Sequence, residues 1–166
     1  MTETASGAKA GNPWLRIGLP LGAVFVADRL TKYWVRGHMD VGDSVPVIPG
    51  FFHLTYILNP GAAFGFLPEQ GWLFVAAGFA VVGALIVCRR LIMALPVAAG
   101  CCVGLIAGGA AGNLFDRLTI GEVVDFLDFK IWSYIFNLAD SAIVVSGILL
   151  CLMLLREEKP APQAKE

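Results

Sequence analysis

The stretches Val123-Val124-Asp125-Phe126 and Phe136-Asn137-Leu138-Ala139-Asp140-Ser141-Ala142 place two carboxylates in apolar surroundings. Asp125 and Asp140 lie 15 residues apart, and neither has a cationic residue beside it in the sequence. An ionisable side chain within or beside an apolar span is energetically costly, so it is a functional candidate by default. The two stretches therefore predict a pair of aspartates that share one site.

The composition indicates that this site is held in a membrane. The chain has 166 residues, of which 57% are hydrophobic and 15% charged, and its mean hydropathy is +0.73. A soluble domain is typically about a quarter charged. The net charge of −1 gives no reason to expect a nucleic-acid partner. The four cysteines lie within or at the ends of apolar runs without a Cys/His cluster, so we expect neither a disulfide, nor a metal, nor a cofactor.

Four apolar runs approach the length that a helix needs to cross a bilayer. They cover about residues 14–34, 71–88, 92–114 and 134–155. At about 1.5 Å per residue the first run covers about 30 Å, the thickness of the hydrocarbon core. Pro20 lies inside that run and predicts a kink or a re-start of the helix. The fold class expected is an all-α membrane protein with four transmembrane helices.

Residues 44–66 predict a small β-sheet region on the extracytoplasmic side. Apolar side chains alternate over residues 52–58, and the prolines of residues 45–49 suit an edge strand. By contrast, residues 119–133 are interpreted as a short amphipathic loop that carries Asp125.

The two ends of the chain are polar or charged. We therefore expect disordered cytoplasmic tails over residues 1–12 and 157–166, with residues 13–156 forming a single membrane-embedded domain. The basic residues that flank the runs favour a topology with both termini in the cytoplasm. The polar residues discussed below then meet at the outer face of the membrane.

Small residues recur every fourth position in the third run. They are Gly100, Gly104, Gly108 and Gly112, and Asp116 continues the repeat. Such a ridge lets a helix approach its neighbours closely. Asn113 and Arg117 share one helical face by their spacing of four, and we expect them to point inward. The alternative is that Arg117 complements the helix dipole and pairs with Asp116.

Two further polar pairs accompany the other runs. Asp28 and Lys32 lie four apart with the acid first, a favourable orientation for an ion pair on a helix. This pair either neutralises itself at the membrane interface or belongs to the site. Asn59 and Gly61 follow the predicted strand, where a small residue lets the backbone approach a ligand.

Carboxylates dominate the polar inventory at the predicted outer face. Two close carboxylates share a proton, and such a pair can activate water and protonate a carbonyl oxygen, which is aspartic peptide hydrolysis. Asp125 and Asp140 are preferred over Asp116 and Asp128, whose surroundings are more polar, and Asn137 lies one helical turn before Asp140. A small proton-coupled transporter that uses intramembrane aspartates, or a non-catalytic scaffold, are the alternatives.

Five motifs together resemble the lipoprotein signal peptidase family, bacterial signal peptidase II. In chain order they are Asp28-Arg-Leu-Thr-Lys32, Asn59-Pro-Gly-Ala-Ala-Phe64, Gly108-Gly-Ala-Ala-Gly-Asn-Leu-Phe-Asp-Arg117, Val123-Val-Asp-Phe126 and Phe136-Asn-Leu-Ala-Asp-Ser-Ala142. The resemblance extends from the first apolar run to the fourth, and it leaves both tails outside.

The resemblance implies an intramembrane aspartic endopeptidase of the bacterial inner membrane. Such an enzyme removes signal peptides from diacylglyceryl-modified prolipoproteins by cutting on the amino side of the lipidated cysteine. Asp125 and Asp140 match the catalytic pair of the family. The residues that match positions lining or supporting the substrate site are Asn59, Gly61, Gly108, Asn113, Arg117, Asn137, Ala139, Asp28 and Lys32. Membrane lipid and the inhibitor globomycin are the further partners expected, and we expect a monomer.

Overall fold

The computed structural model describes residues 12–61 and 71–157. The predicted tails, apart from Asn12 and Glu157, and the end of the predicted β region at residues 62–66 lie outside these ranges. The elements are α1 (Pro13–His38), β1 (Ser44–Ile48), β2 (Phe52–Asn59), α2 (Gly71–Val87), α3 (Arg89–Ala94), α4 (Val97–Thr119), β3 (Val123–Phe129), β4 (Ile135–Phe136) and α5 (Leu138–Glu157). The protein is thus mostly helical, with a small antiparallel sheet.

The first and third apolar runs differ from the helices predicted for them. α1 continues through Pro20, so the predicted re-start is wrong. The third apolar run is not one helix, because it divides into α3 and α4 at Leu95 and Pro96. Pro96 disfavours a helical conformation for the residue before it, and Leu95 is extended with a ψ of 150°. Pro96 then precedes the first residue of α4.

The sheet contains four antiparallel strands in the order β1-β2-β3-β4. The interpretation of residues 119–133 as a loop is therefore wrong, because β3 occupies its centre and carries Asp125. β3 is buried at most positions on both faces, so its sequence shows no alternation of apolar and polar residues. The fourth apolar run also begins in the sheet, since Ile135 and Phe136 pair with β3 before α5 starts.

The glycine ridge of α4 packs closely against a neighbouring helix, as predicted, and the structure identifies that helix as α1. A Cβ atom added at Gly108 would lie 2.5 Å from the Leu21 carbonyl oxygen, and one added at Gly104 would overlap the Ile17 carbonyl oxygen. On an adjacent face, Gly109 lies against the backbone of Ala139 in α5. α4 is therefore the central helix, with α1 and α5 packed closely on either side.

The apolar surface of the helices suits a membrane. Within the described residues, Val97–Thr119 and Leu138–Arg156 are long and apolar enough to cross a bilayer, and Trp72–Val87 is a shorter apolar helix. α5 exposes large apolar side chains along its length, namely Val144, Val145, Ile148, Leu149, Leu152, Leu154 and Leu155. The expectation that α1 and α2 also cross the membrane stays a prediction.

The sheet rests on the C-terminal end of α1. Val35 and Met39 of that helix pack with Tyr56 of β2 and with Val124 and Phe126 of β3 in one buried cluster. This cluster fixes β3 next to α1. Asp125 lies between Val124 and Phe126, and the packing therefore fixes the position of its backbone as well.

Candidate active site

The side chain of Asn137 connects the two aspartates that the sequence singles out. Its Nδ2 atom donates a hydrogen bond of 2.6 Å to Asp125 Oδ1, and its Oδ1 atom accepts one of 2.9 Å from the backbone N–H of Asp140. Asp125 is 1% exposed and Asp140 is partly buried. The predicted pair therefore shares one site, where β3 meets the start of α5.

Asn137 and Asp140 cap α5 reciprocally. The backbone N–H of Asn137 donates to Asp140 Oδ2 at 3.4 Å, which complements the bond from the Asp140 N–H to the Asn137 side chain. Asp140 thus lies in the first turn of the helix, where the helix dipole favours a negative charge. The reciprocal hydrogen bonds between Asn137 and Asp140 therefore both cap α5 and fix the position of the Asp140 carboxylate.

Asn59 holds the other oxygen of Asp125. Its Nδ2 atom donates to Asp125 Oδ2 at 2.8 Å from the end of β2, next to the pairing of Ile57 with Asp125. Its own Oδ1 atom accepts the backbone N–H of Gly61 at 3.0 Å. Both carboxylate oxygens of Asp125 therefore accept a hydrogen bond from an asparagine amide.

Asn113 of α4 makes the corresponding contact with the second aspartate. Its Nδ2 atom donates to Asp140 Oδ1 at 2.6 Å. Its Oδ1 atom accepts from Asn137 Nδ2 at 3.1 Å and from Lys32 Nζ at 2.9 Å. Because two donors converge on Oδ1, the amide has only one orientation, with its NH2 group toward Asp140.

Arg117 is partly buried beside this network. Its Nη2 atom donates to the Gly61 carbonyl at 3.0 Å, its Nη1 atom lies 3.4 Å from the Asn113 carbonyl, and its guanidinium lies 5.0 Å from the centre of the Phe74 ring. The prediction that Arg117 faces inward beside Asn113 is confirmed. The alternative pairing of Arg117 with Asp116 is wrong, because Asp116 is bound by other cations.

Those cations come from α1 and form a layer behind the aspartate pair. Lys32 Nζ lies 3.0 Å from Asp28 and 2.8 Å from Asp116, while Arg29 lies 3.1 Å from Asp28 and 2.6 Å from Asp116. Asp28 and Lys32 thus form part of a largely buried four-residue cluster rather than an isolated ion pair. Their contact with Asn113 joins this cluster to the site.

Sequence reasoning omitted Arg29 and Asp116 from the site. A signal for Asp116 was present, because it continues the four-residue glycine repeat and so must face α1 with the ridge. Arg29 gave no comparable signal. Of the predicted supporting residues, Gly108 lies at the contact between α1 and α4, whereas Ala139 is buried and donates its backbone N–H to Asp28.

The remaining carboxylate of β3 belongs to a separate set of contacts. Asp128 accepts a hydrogen bond of 2.6 Å from Thr55 and pairs with Lys130. Across residues 12–61 and 71–157, no three His, Cys, Asp or Glu side chains gather in a way that would hold a metal ion.

Burial sets the protonation of Asp125. Burial and, to a smaller extent, the nearby charge of Asp140 raise the pKa of this carboxyl group from 3.8 to about 7, against the opposing effect of the amides of Asn59 and Asn137. Two interacting carboxyl groups titrate as a pair. Near neutral pH, therefore, Asp125 and Asp140 can share one proton.

Comparison with known proteins gives consistent matches over most of the chain. The model of the family described as signal peptidase (SPase) II matches residues 21–156. A lipoprotein signal peptidase of Desulfitobacterium hafniense is 52% identical over 147 residues, which cover 88% of this chain and 95% of the relative. One from Pelotomaculum thermopropionicum is 47% identical over 137 residues, covering 82% and 90% of the two chains.

Two solved structures share the fold. A bacterial membrane enzyme determined by the in meso method at 2.3 Å resolution superposes with a TM-score of 0.79 at 32% identity, covering 89% of this chain and 92% of the other. A second, at 1.9 Å resolution, gives a TM-score of 0.72 at 33% identity, covering 85% and 92%. The similarity therefore extends over most of both chains.

Proposed function

The chain belongs to the signal peptidase II family and is an aspartic peptidase, and we propose that it removes signal peptides from bacterial prolipoproteins in the membrane. The substrates are prolipoproteins whose cysteine carries a diacylglyceryl group, and the bond cut lies on the amino side of that cysteine. Membership of this family favours a peptidase over the transporter and the non-catalytic scaffold that the sequence left open as alternatives.

Asp125 and Asp140 are the catalytic pair in this proposal. The observation that carries it is the Asn137 side chain, which donates to Asp125 Oδ1 at 2.6 Å and accepts from the Asp140 N–H at 2.9 Å. Supporting it, burial raises the pKa of Asp125 to about 7, so that one proton is retained on the pair at neutral pH. A shared proton is what acid–base hydrolysis by two carboxyl groups requires.

The reaction proceeds through water held between the two carboxyl groups. The ionised aspartate takes a proton from the water as its oxygen attacks the scissile carbonyl carbon, and the protonated aspartate donates to the carbonyl oxygen. The resulting diol collapses when the C–N bond breaks: the leaving nitrogen takes up the proton that the first aspartate took from water, and one diol hydroxyl returns its proton to the other aspartate as the carbonyl re-forms. No covalent bond between protein and substrate forms, and the carboxyl groups return to their starting protonation.

The membrane positions the substrate. The two acyl chains of the modified cysteine stay in the bilayer, and each buried CH2 contributes about 0.8 kcal/mol to anchoring. The signal peptide must lose helical hydrogen bonds at the scissile bond, and polar side chains must satisfy the freed backbone groups at membrane depth. Asn59, Asn113 and Arg117 are the side chains we assign to this task, because they surround the aspartate pair.

Four membrane-spanning segments with both termini in the cytoplasm complete the proposal. The site then faces the outer side of the membrane, where the sheet covers the ends of the helices. We further propose that the protein acts as a monomer and that globomycin, which blocks the family, competes with the substrate here.

The test measures cleavage of a diacylglyceryl-modified prolipoprotein in detergent by the wild type, Asp125→Asn and Asp140→Asn. Each substitution should abolish cleavage, while Asp128→Asn, a matched change on the same strand, should leave the rate within about twofold. If either pair variant keeps near-normal activity while folded, the assigned pair is wrong. If the wild type cuts nothing, the proposed substrate is wrong.

A further inference from the structure

The backbone next to Asp140 is held by a carboxylate from the first helix. Ala139, the residue directly before Asp140, donates its backbone N–H to Asp28 Oδ1 at 3.1 Å. Asp28 and Ala139 are both 0% exposed. Gly112 makes this approach possible, because a Cβ atom there would lie 2.6 Å from Asp28 Oδ2.

The backbone next to Asp125 is held in the same manner by a carboxylate from α4. Val124, the residue directly before Asp125, donates its backbone N–H to Asp116 Oδ2 at 3.3 Å. Asp116 and Val124 are also 0% exposed. Each aspartate of the pair is therefore preceded by a residue whose amide is bound to a buried carboxylate.

Two cations join these two carboxylates to each other. Lys32 contacts Asp28 at 3.0 Å and Asp116 at 2.8 Å, and Arg29 contacts them at 3.1 Å and 2.6 Å. Two negative and two positive side chains leave the cluster with no net charge. A cluster whose positive and negative charges cancel can stay buried, whereas a buried charge without a partner would be costly.

We propose that Asp28, Asp116, Lys32 and Arg29 form a clamp that sets the separation of the catalytic carboxyl groups. The four residues, named here the carboxylate clamp, touch neither substrate nor water in the reaction, and they act as positioning residues. The inference rests on the assignment of Asp125 and Asp140 as the pair, and it gives a role to Arg29 and Asp116.

Separation matters because the pair works only with one shared proton. The repulsion that keeps one carboxyl group protonated falls with the distance between the two, and water must fit between them. A displacement of about 1 Å at a reacting group can cost about a hundredfold in rate. The clamp acts on the backbone immediately before each aspartate. Lengthening Asp28 or Asp116 therefore moves the catalytic carboxyl group with little effect on substrate binding, because Asn113 contacts the clamp through Lys32 and not through either carboxylate.

The experiment lengthens the clamp without changing its charge. Asp28→Glu and Asp116→Glu keep the negative charge and the partner cations, but each moves the acceptor oxygen by about the length of one C–C bond. Asp128→Glu is the matched control, because Asp128 is a buried carboxylate of β3 that binds Thr55 and Lys130 outside the clamp. Cleavage of the diacylglyceryl-modified prolipoprotein gives kcat and KM for each folded variant.

We expect kcat to fall about tenfold or more in both clamp variants, with KM within about twofold of the wild type. The control should keep both constants within about twofold. The clamp is overturned if kcat stays within about twofold of the wild type, or if the whole loss lies in KM. A role limited to holding the helices together by charge would leave kcat unchanged, since the charges are retained.

The Asp→Asn variants serve where a glutamate variant does not fold. Asp28→Asn and Asp116→Asn keep an oxygen that accepts the backbone N–H but remove one charge. We expect lower thermal stability and a smaller fall in kcat than in Asp28→Ala or Asp116→Ala, which remove the oxygen that accepts the backbone N–H as well as the charge. A fall of kcat to the level of Asp125→Asn would overturn the clamp.

A spectroscopic readout separates the clamp from the proposed substrate. The carboxyl band of Asp125, taken as the infrared difference between the wild type and Asp125→Asn, reports its titration without any cleavage. The midpoint should move by about half a pH unit in Asp28→Glu and stay unchanged in Asp128→Glu. An unmoved midpoint overturns the clamp even if the wild type cleaves normally, whereas a moved midpoint with an inactive wild type leaves the clamp supported and the substrate wrong.

Discussion

Asp28 Oδ1 accepts a hydrogen bond of 3.1 Å from the backbone N–H of Ala139, a residue 111 positions further along the chain. This contact joins the first long helix to the start of the last one. It requires Gly112 beneath the carboxylate, because any side chain there would occupy the same space. One aspartate of the first helix therefore depends on a glycine of α4 and positions the residue before Asp140.

The pH dependence of cleavage follows from the protonation of Asp125. Burial raises the pKa of this group to about 7, so raising the pH through that value removes the proton that the pair shares. We expect the cleavage rate to fall by about tenfold per pH unit above this point. The measurement is kcat/KM between about pH 5 and pH 9, and a rate that stays constant to pH 9 would contradict the shared proton.

The same pKa predicts how stability changes with pH. The folded state holds a proton on Asp125 up to about pH 7, whereas an ordinary carboxyl group releases it near 3.8. The free energy of unfolding therefore falls as the pH rises through this window and is level above it. Asp125→Asn removes this titration, so between about pH 4 and pH 8 its stability should improve relative to the wild type by on the order of 4 kcal/mol.

Unfolding of both proteins in the same detergent micelles at the two pH values tests this expectation. The loss of hydrogen bonds from Asn59 and Asn137 affects the variant equally at both values, so only the change with pH is informative. A stability difference between the two proteins that does not depend on pH would show that Asp125 titrates normally.

Lys32 is expected to contribute strongly to stability because it is buried between two carboxylates. Its side chain is 2% exposed, and Lys32→Met leaves Asp28 and Asp116 with Arg29 as their remaining cation. Breaking a buried ion pair from one side typically costs about 3–5 kcal/mol. Lys130→Met is the control, since Lys130 is 38% exposed and its pair with Asp128 contributes about 0–1 kcal/mol. Equal losses in the two variants would contradict the buried cluster.

The contact between α1 and α4 depends on the absence of side chains along the glycine ridge. A Cβ atom at Gly104 would overlap the Ile17 carbonyl oxygen, so Gly104→Ala should destabilise the protein by about 1–3 kcal/mol through overpacking. At Gly147 of α5 the added atom meets nothing within 4 Å among the described residues. Gly147→Ala should therefore be neutral or gain up to about 1 kcal/mol from helix propensity. Thermal unfolding of both variants compares the two positions.

Residues whose chemistry is unusual for their surroundings were predictable from the chain. Asp125 and Asp140 are carboxylates in apolar stretches, and Asn113 and Arg117 continue the polar end of an apolar helix. The glycine ridge gave the contact face of α4 through its spacing of four. The strand β3 was missed because a strand buried on both faces shows no alternation, and the break at Pro96 was missed because the apolar composition continues across it.

By itself the sequence determined which residue types had to be protected from the membrane, because a charged or amide group in an apolar run has a fixed desolvation cost wherever the chain folds. It therefore determined which polar residues belong to the candidate site, that the protein is of the membrane class, and which family its motifs resemble. Only the tertiary structure decided which of these polar side chains bind each other. Asp116 directly precedes Arg117 in the sequence, yet it binds Arg29 and Lys32. The reason is that neighbouring side chains on a helix point about 100° apart, whereas the packing of α4 against α1 brings charges distant in the sequence together.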